Sequence, residues 1–520
     1  MTFSKPATYT RMCFLSAALM CGAAFTQGLK AQDSLSAYIL TPKAGPAPRI
    51  NGPKVFGVRP GHPIVYTVPV SGQKPVSISA VNLPKGVAID MRTGKLSGTI
   101  AKAGSYDITI TARNAVAATS SKLKIVVGED ILLTPPMGWN SWNIYGTQIS
   151  QELVLANAKA MVSSGLAEHG WVYMNIDDAW QGTRGGALHA IQPAPTTFPD
   201  MQQLSNEVHG MGLKLGIYST PWVESYGHHV GGSAMNAEGT FERTKDNIPR
   251  NKKMLPYALG TYSFVENDVK QYVKWDVDYL KYDWSPNELP ETKAMYDALR
   301  TSGRDIALSL SNSTPFVSIG ELSKVSNCWR TGGDIRDNWK SLKSRILTQD
   351  KWVPYARPGH WNDPDMMIVG YVGWGKTPRP SLLSADEQYT HVSAWCLMSV
   401  PLLLGNDLTK LDAFTLSLLT NDEVLAINQD PLGKQATVVM HEGDLGVLAK
   451  GLSDGTEAAG LFNTSDSTQK MTLKWQDIGL QGKYVVRDAW RQKDLGVFSD
   501  EFSAEIPKHG VLLLVLRKQK

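Results

Sequence analysis

Cysteine is scarce. The 520-residue chain holds four. Cys13 and Cys21 fall in an N-terminal stretch that reads as a cleavable leader, which leaves Cys328 and Cys396. No disulfide framework holds such a fold, and a chain of this length buries enough core to need none. Both remaining thiols are expected to be inert core groups. Long apolar runs are also missing: beyond residues 12–25 no segment is apolar for long enough to cross a bilayer. Charge of one sign is missing as well. The 52 Lys and Arg are interspersed with 48 Asp and Glu, and no basic run reads as a nucleic-acid surface. The ten histidines show no zinc-ligand spacing, and His228–His229 reads as a solvated loop pair. The carboxylates do not follow a Ca²⁺-loop pattern. Neither a metal nor an organic cofactor is expected. No internal repeat is evident.

What is present begins with an export signal. Lys5 and Arg11 precede the apolar run 12–25, and Leu29-Lys30-Ala31 offers a small residue for cleavage before Gln32. Residues 1–31 are expected to be a signal peptide, with the mature protein periplasmic, extracellular or on the cell surface. A lipoprotein through Cys21 is less favoured, because Met20 is large where such sites prefer a small residue.

Residues 32–50, rich in Pro, Ala and Gly, read as a linker. From 51 to 128 the pattern has period two, as in 64–70, 106–112 and 122–127, with Gly and Pro turns between. This predicts a β-sandwich. The stretch 83–99 (LPKGVAIDMRTGKLSGT) resembles the immunoglobulin-like modules appended to bacterial secreted enzymes, which implies an accessory module without chemistry. From 129 to 433 strand and helix patterns alternate. Candidate strands are 137–141, 172–176, 213–218, 278–283, 306–311, 325–330, 360–363 and 400–404. That alternation predicts an α/β domain, a (β/α)8 TIM barrel. Residues 434–520 alternate again, with strands at 484–488 and 511–516, and predict an antiparallel β-domain.

In such a barrel, chemistry gathers where strands end. The candidate strands deliver Trp139, then Asp177 and Asp178, Tyr218, Lys281 and Asp283, Ser309 and Ser311, Arg330 with Asp334 just beyond, Asp363 and Asp365, and Asn406 with Asp407. Titratable groups recurring at one end of strand after strand are not what a purely structural barrel needs. Alternation places Lys281 and Asp283 on one face, in the mouth, with Leu280 and Tyr282 outward. A flanking cation keeps a carboxylate ionised, as a nucleophile requires, while a less compensated carboxyl keeps its proton and serves as acid. Asp334 is the candidate acid. The fifteen Trp, many beside carboxylates or Gly, suit sugar stacking, although a large aromatic is by default core.

The motifs PPMGWNSWN (135–143), YMNIDDAW (173–180), GLKLGIYS (212–219), DYLKYDW (278–284), WRTGGDI (329–335), WNDPDM (361–366) and INQDPLGKQ (427–435) resemble, in order, those of glycoside hydrolase family 27. This is the clan D family of α-galactosidases and α-N-acetylgalactosaminidases, the melibiases. The resemblance implies a retaining exo-glycosidase acting on terminal α-D-galactosyl residues, with Asp283 as nucleophile and Asp334 as acid/base. It also implies sugar contacts at Trp139, Asp177, Asp178, Tyr218, Lys281, Arg330 and Asp365. Three departures stand out. The segment 219–262 is long and is expected to shape the leaving-group side. Ser285-Pro286 stands where many relatives carry a Cys after the nucleophile. Ser311 is small where α-galactosidases often carry a bulkier reader of the 2-hydroxyl, which keeps α-N-acetylgalactosaminides open as substrates. β-L-Arabinopyranosides and isomaltosyl units also stay open as substrates, and a sugar-binding protein without hydrolytic activity is the rival function. The expected partner is a carbohydrate.

Overall fold

The computed structural model describes residues 35–240 and 258–519; the expected signal peptide lies outside the described residues. Eight parallel strands form the central sheet: β1 Met137–Asn140, β2 Tyr173–Asn175, β3 Lys214–Ser219, β4 Tyr279–Asp283, β5 Ala307–Ser311, β6 Cys328–Arg330, β7 Trp361–Asp363 and β8 Leu402–Leu404. They neighbour one another in chain order from β1 to β7, and β8 pairs with β1. The ring closes just past β7, where Met367 bridges Leu404 in parallel and its N–H donates to Leu403 at 2.8 Å. The (β/α)8 barrel is therefore the observed fold, with each strand inside the span expected for it or within a residue of it.

Pleating decides what each strand aims at the axis. On β4, Leu280 and Tyr282 join the large core between sheet and helices, while Tyr279 packs with Tyr173, Ala307 and Leu403 in a separate inward cluster. That cluster plugs the barrel below the catalytic end. Strand register sets the layer above it. Lys281 lies opposite Tyr218 and Ser309, Asp283 opposite Ser311, and Arg330 opposite Asp363.

The helices form for ordinary reasons. Gln151–Ser163 is capped by Ser150, which accepts from the Leu153 N–H, and buries Val154, Ala158 and Met161 at helical spacing. Ala385–Met398 starts with a full capping box of Ser384 and Glu387 and is buried along its whole length. Its outer side is covered by the C-terminal domain, where a six-stranded antiparallel sheet faces the pair Gln469–Lys474 and Glu501–Ile506. Gly460 of that domain has no room for a side chain, since a Cβ there would meet Leu397 Cδ1 at 2.5 Å. Lys450 closes the end of the helix: its buried ammonium donates to Cys396 O, Ser399 Oγ and Ile427 O. Burial pushes the Lys450 pKa down to about 7.

The N-terminal module packs a four-stranded sheet against a three-stranded one around its own core of Ile108, Ile110, Leu123 and Ile125. It sits under the N-terminal ends of the barrel strands. Asp305 accepts from the Arg59 N–H at 3.0 Å and pairs with the Arg59 guanidinium at 2.9 Å and His62 at 2.8 Å. Thr67 Oγ1 donates to Gly212 O, and Lys95 to His209 O. The described part of the expected linker is docked rather than loose. Leu35, Ile39 and Leu40 pack on the barrel core, Leu40 N–H donates to the Tyr389 hydroxyl, and Thr41 Oγ1 donates to Ser417 O. Its last residues, Arg49–Ile50, pair with Val70–Ser71. Leucine and isoleucine among the Pro and Gly supply that anchoring.

Arg59 is almost fully buried, so removing its carboxylate strands a charge. Asp305→Ala is expected to loosen the N-terminal module without touching the mouth of the barrel. Limited trypsin digestion then releases the barrel several-fold faster than in the parent; an unchanged cleavage rate contradicts this.

Candidate active site

The site is built at the C-terminal ends of β2 to β7. Lys281, on β4, donates to Asp177 Oδ2 at 2.8 Å and lies 4.0 Å from Asp283 Oδ2. Its ammonium also stands 5.6 Å from the centre of the Tyr218 ring. Asp177 is further held by Asn140 Nδ2 at 2.8 Å, and its own N–H donates to Ser141 Oγ. Asp178 is gripped from a different direction. Ser225 Oγ donates to its Oδ1 at 2.8 Å, the Gly227 N–H to its Oδ2 at 2.6 Å, and His229 Nδ1 lies 3.5 Å away. On the other side Arg330, from β6, pairs with Asp365 at 2.9 Å and donates to Asp334 at 3.3 Å. Asp365 also accepts from the Ile335 N–H at 2.7 Å, which fixes the loop that carries Asp334. Trp395, from the buried helix, donates to Asp365 O.

Depth divides the two expected catalytic carboxylates. The Asp283 side chain is 8% exposed and that of Asp334 is 42% exposed. The site is a pit with Asp283 low and Asp334 at the rim. Within it Asp283 Oδ1, Tyr218 OH, Ser311 Oγ and Arg330 Nε are buried without a hydrogen-bond partner. Buried polar atoms are seldom left so. Their convergence marks where a polar ligand is received.

Nearly all the residues expected at the site are brought together; Trp139 is not. It lies on the outer face of β1, fully buried in the core between sheet and helices, with its indole N–H donating to Asn406 O at 2.7 Å. Asn140 is the inward residue of that strand. The indole that stays half-buried against the inward cluster with Met366 is Trp142, at the start of the helix after β1. Strand parity was the signal for this within the motif GWNSW. Asp334 caps no helix, as Asn338 caps the helix that follows. Ser225, Gly227 and His229 had no sequence signal beyond lying in the long segment 219–262, whose residues 241–257 fall outside the described residues. Cys328 and Cys396 are free and buried.

The ionisation order differs from the expected one. Burial pushes Asp283 up to about 7; Lys281 opposes this, and Asp177 and Asp334 add to it. Lys281 is the main opposing influence but does not overcome burial, and its ammonium is shared with Asp177, to which it donates. Burial also acts upward on Asp334, but Arg330, Lys281 and Arg336 together hold its carboxyl below the usual range. Burial raises Asp363 to about 6.

A family model described as "Alpha galactosidase A" matches residues 134–238 and 251–430. The chain belongs to glycoside hydrolase family 27, the melibiases. A second model, "Alpha galactosidase C-terminal beta sandwich domain", matches 442–516, and an Ig-domain model matches 47–128. The chain is 36% identical to alpha-galactosidase 2 of Arabidopsis thaliana, over 80% of this chain and 97% of that protein. A Bacteroides fragilis structure superposes with a TM-score of 0.80 at 31% identity, over 91% of this chain and 98% of that one. That span takes in the N-terminal module. Alpha-galactosidase I of Mortierella vinacea matches at TM-score 0.63 and 31% identity, over 75% of this chain and 98% of that one.

The raised Asp283 pKa has a consequence for the stability of the fold. The folded state holds that proton to about 7, against 3.8 as the ordinary value. Ionisation therefore works against the fold as pH rises from the ordinary value to the folded one. Asp283→Asn is expected to raise Tm at pH 8, by up to roughly 4 kcal/mol of stability, with the gain shrinking toward pH 4. Calorimetry at the two pH values checks this; no gain at pH 8 contradicts it.

Proposed function

We propose that the protein is a retaining exo-α-galactosidase that removes terminal α-D-galactosyl residues from oligosaccharides or glycan side chains. The observation that carries this reading is the pit itself: a deep Asp283 beside the Asp177–Lys281 pair, with the second carboxyl, Asp334, at the rim. A pit admits one terminal sugar. Asp177 and Asp178 accept from its hydroxyls, Lys281 and Arg330 donate, and Trp142 offers an apolar wall.

In the proposed double displacement, Asp283 attacks the anomeric carbon while Asp334 protonates the departing oxygen. A covalent glycosyl-enzyme forms, and Asp334 then takes a proton from the water that hydrolyses it. Substrate binding sets up the required protonation. A leaving group over the rim strips water from Asp334 and raises its pKa, while sugar hydroxyls donating to Asp283 favour its anion. The proton that Asp283 holds in the empty pit thus passes to Asp334.

The test is turnover of p-nitrophenyl α-D-galactopyranoside beside the α-N-acetylgalactosaminide and the β-L-arabinopyranoside. The galactoside is expected to be cleaved, with Asp283→Ala abolishing turnover. Asp334→Ala is expected to lose about 10²–10⁴-fold on a poor leaving group such as melibiose, and less on p-nitrophenol. The parent's kcat/KM is expected to fall above pH 7, as the free enzyme loses from Asp283 the proton that passes to Asp334. Preference for the N-acetyl substrate instead assigns the space beside Ser311, which is buried with Oγ unpartnered, to an acetamido group. Silence on all three from folded protein contradicts the hydrolase reading.

We also infer export, supported by Lys5 and Arg11 ahead of the apolar run 12–25. N-terminal sequencing of protein secreted by a bacterial host is expected to start at Gln32; retention of residues 1–31 contradicts this.

A further inference from the structure

Opposite the catalytic mouth, a cavity of about 500 Å³ lies between the N-terminal module and the floor of the barrel. Its ceiling is the N-terminal ends of barrel strands, with Met137, Tyr173, Lys214 and Ala307 among the lining residues. The module supplies the other walls, including Val55, Phe56, Ile64 and Val65. The volume falls in the range of small-molecule sites, and the lining is mostly apolar, as in such sites.

The charged groups around it are almost all committed to one another. Asp278 pairs with His209 at 2.7 Å and Arg304 at 2.6 Å, and Arg304 with Asp276 at 2.9 Å. Asp305 is taken by Arg59 and His62, and Lys95 by the carbonyls of His209 and Gly210. Lys214 is the exception. Among the described residues its ammonium makes no ion pair and no hydrogen bond; it stands 5.2 Å from the centre of the Tyr173 ring and 5.6 Å from that of Phe56. Two aromatic faces stabilise a desolvated cation without neutralising it. Burial lowers the Lys214 pKa, and the carboxylates of Asp278 and Asp305, both committed to other partners, oppose this without overcoming it.

We infer that this cavity binds a small organic monoanion with an apolar body, its carboxylate on Lys214 and its chain or ring among the aliphatic walls. One uncommitted cation calls for one negative charge. Paired carboxylates leave nothing for an amine, and the aliphatic walls offer little to a free sugar. Bound there, the ligand touches both the module and the barrel floor and ties them together, remote from the pit where hydrolysis is proposed.

Isothermal titration of the full-length protein with octanoate, octan-1-ol and octylammonium tests this. Octanoate is expected to bind one per chain, octanol about tenfold or more weaker, and octylammonium not measurably. Lys214→Met is expected to lose about tenfold or more in octanoate affinity, and Lys214→Arg to keep it. Val65→Trp, which fills the cavity from the module side, abolishes binding. Hydrolysis by each folded variant is expected to match the parent. No octanoate binding by the parent, equal binding of octylammonium, or undiminished binding by Lys214→Met overturns the inference. Should Lys214→Met fail to fold, binding that survives in Val65→Trp overturns it.

Discussion

Carboxylates crowd one end of this barrel faster than cations arrive to balance them. Asp177, Asp178, Asp283, Asp334, Asp363 and Asp365 converge there, while the cations paired with them are the half-buried Lys281 and the buried Arg330. Each cation has a first allegiance, Lys281 to Asp177 and Arg330 to Asp365, and reaches a catalytic candidate only with what is left over. The deep carboxyl of Asp283 is consequently the one left undercompensated, and it keeps a proton to near neutrality. A buried excess of negative charge is costly to maintain. The rest of the structure supplies the rigidity that maintains it.

That support comes from both ends of the chain. The C-terminal domain covers the helix Ala385–Met398, and Trp395 of that helix holds the backbone of Asp365. Asp365 in turn anchors both Arg330 and the loop of Asp334. On the opposite wall, Ser225 and Gly227 hold Asp178 while Asn140 holds Asp177. A proton added or removed in this ring alters several hydrogen bonds at once. It is therefore the ligand, rather than flexible side chains, that is suited to move it.

Much of this was legible in the sequence because it rests on period and order. Strand–helix alternation predicted the barrel, and parity along DYLKYDW predicted which of its residues face the axis. The motifs named most of the pit. Distance and competition were not legible. Nothing in the spacing of Lys281 and Asp283 says that the amine prefers Asp177, so the ionisation order was inverted. Parity ignored within GWNSW selected the outward Trp139 over Trp142. The grip of Ser225 and Gly227 on Asp178 depends on a long loop folding back, and the cavity beneath the barrel depends on how two domains meet. Neither has a local pattern. The apparent linker is docked because a few aliphatic side chains outweigh its Pro and Gly content.

The central claim is that the deep carboxylate forms the bond to the sugar while the rim carboxyl handles the proton. Trapping tests it most directly. A 5-fluoro-galactosyl fluoride of α configuration slows both chemical steps and lets a glycosyl-enzyme accumulate, and mass spectrometry of the digested protein then locates the added sugar. The account predicts a single label on Asp283, released slowly with restored activity. A label on Asp334 or another carboxylate, or turnover to inverted product with no label, contradicts it.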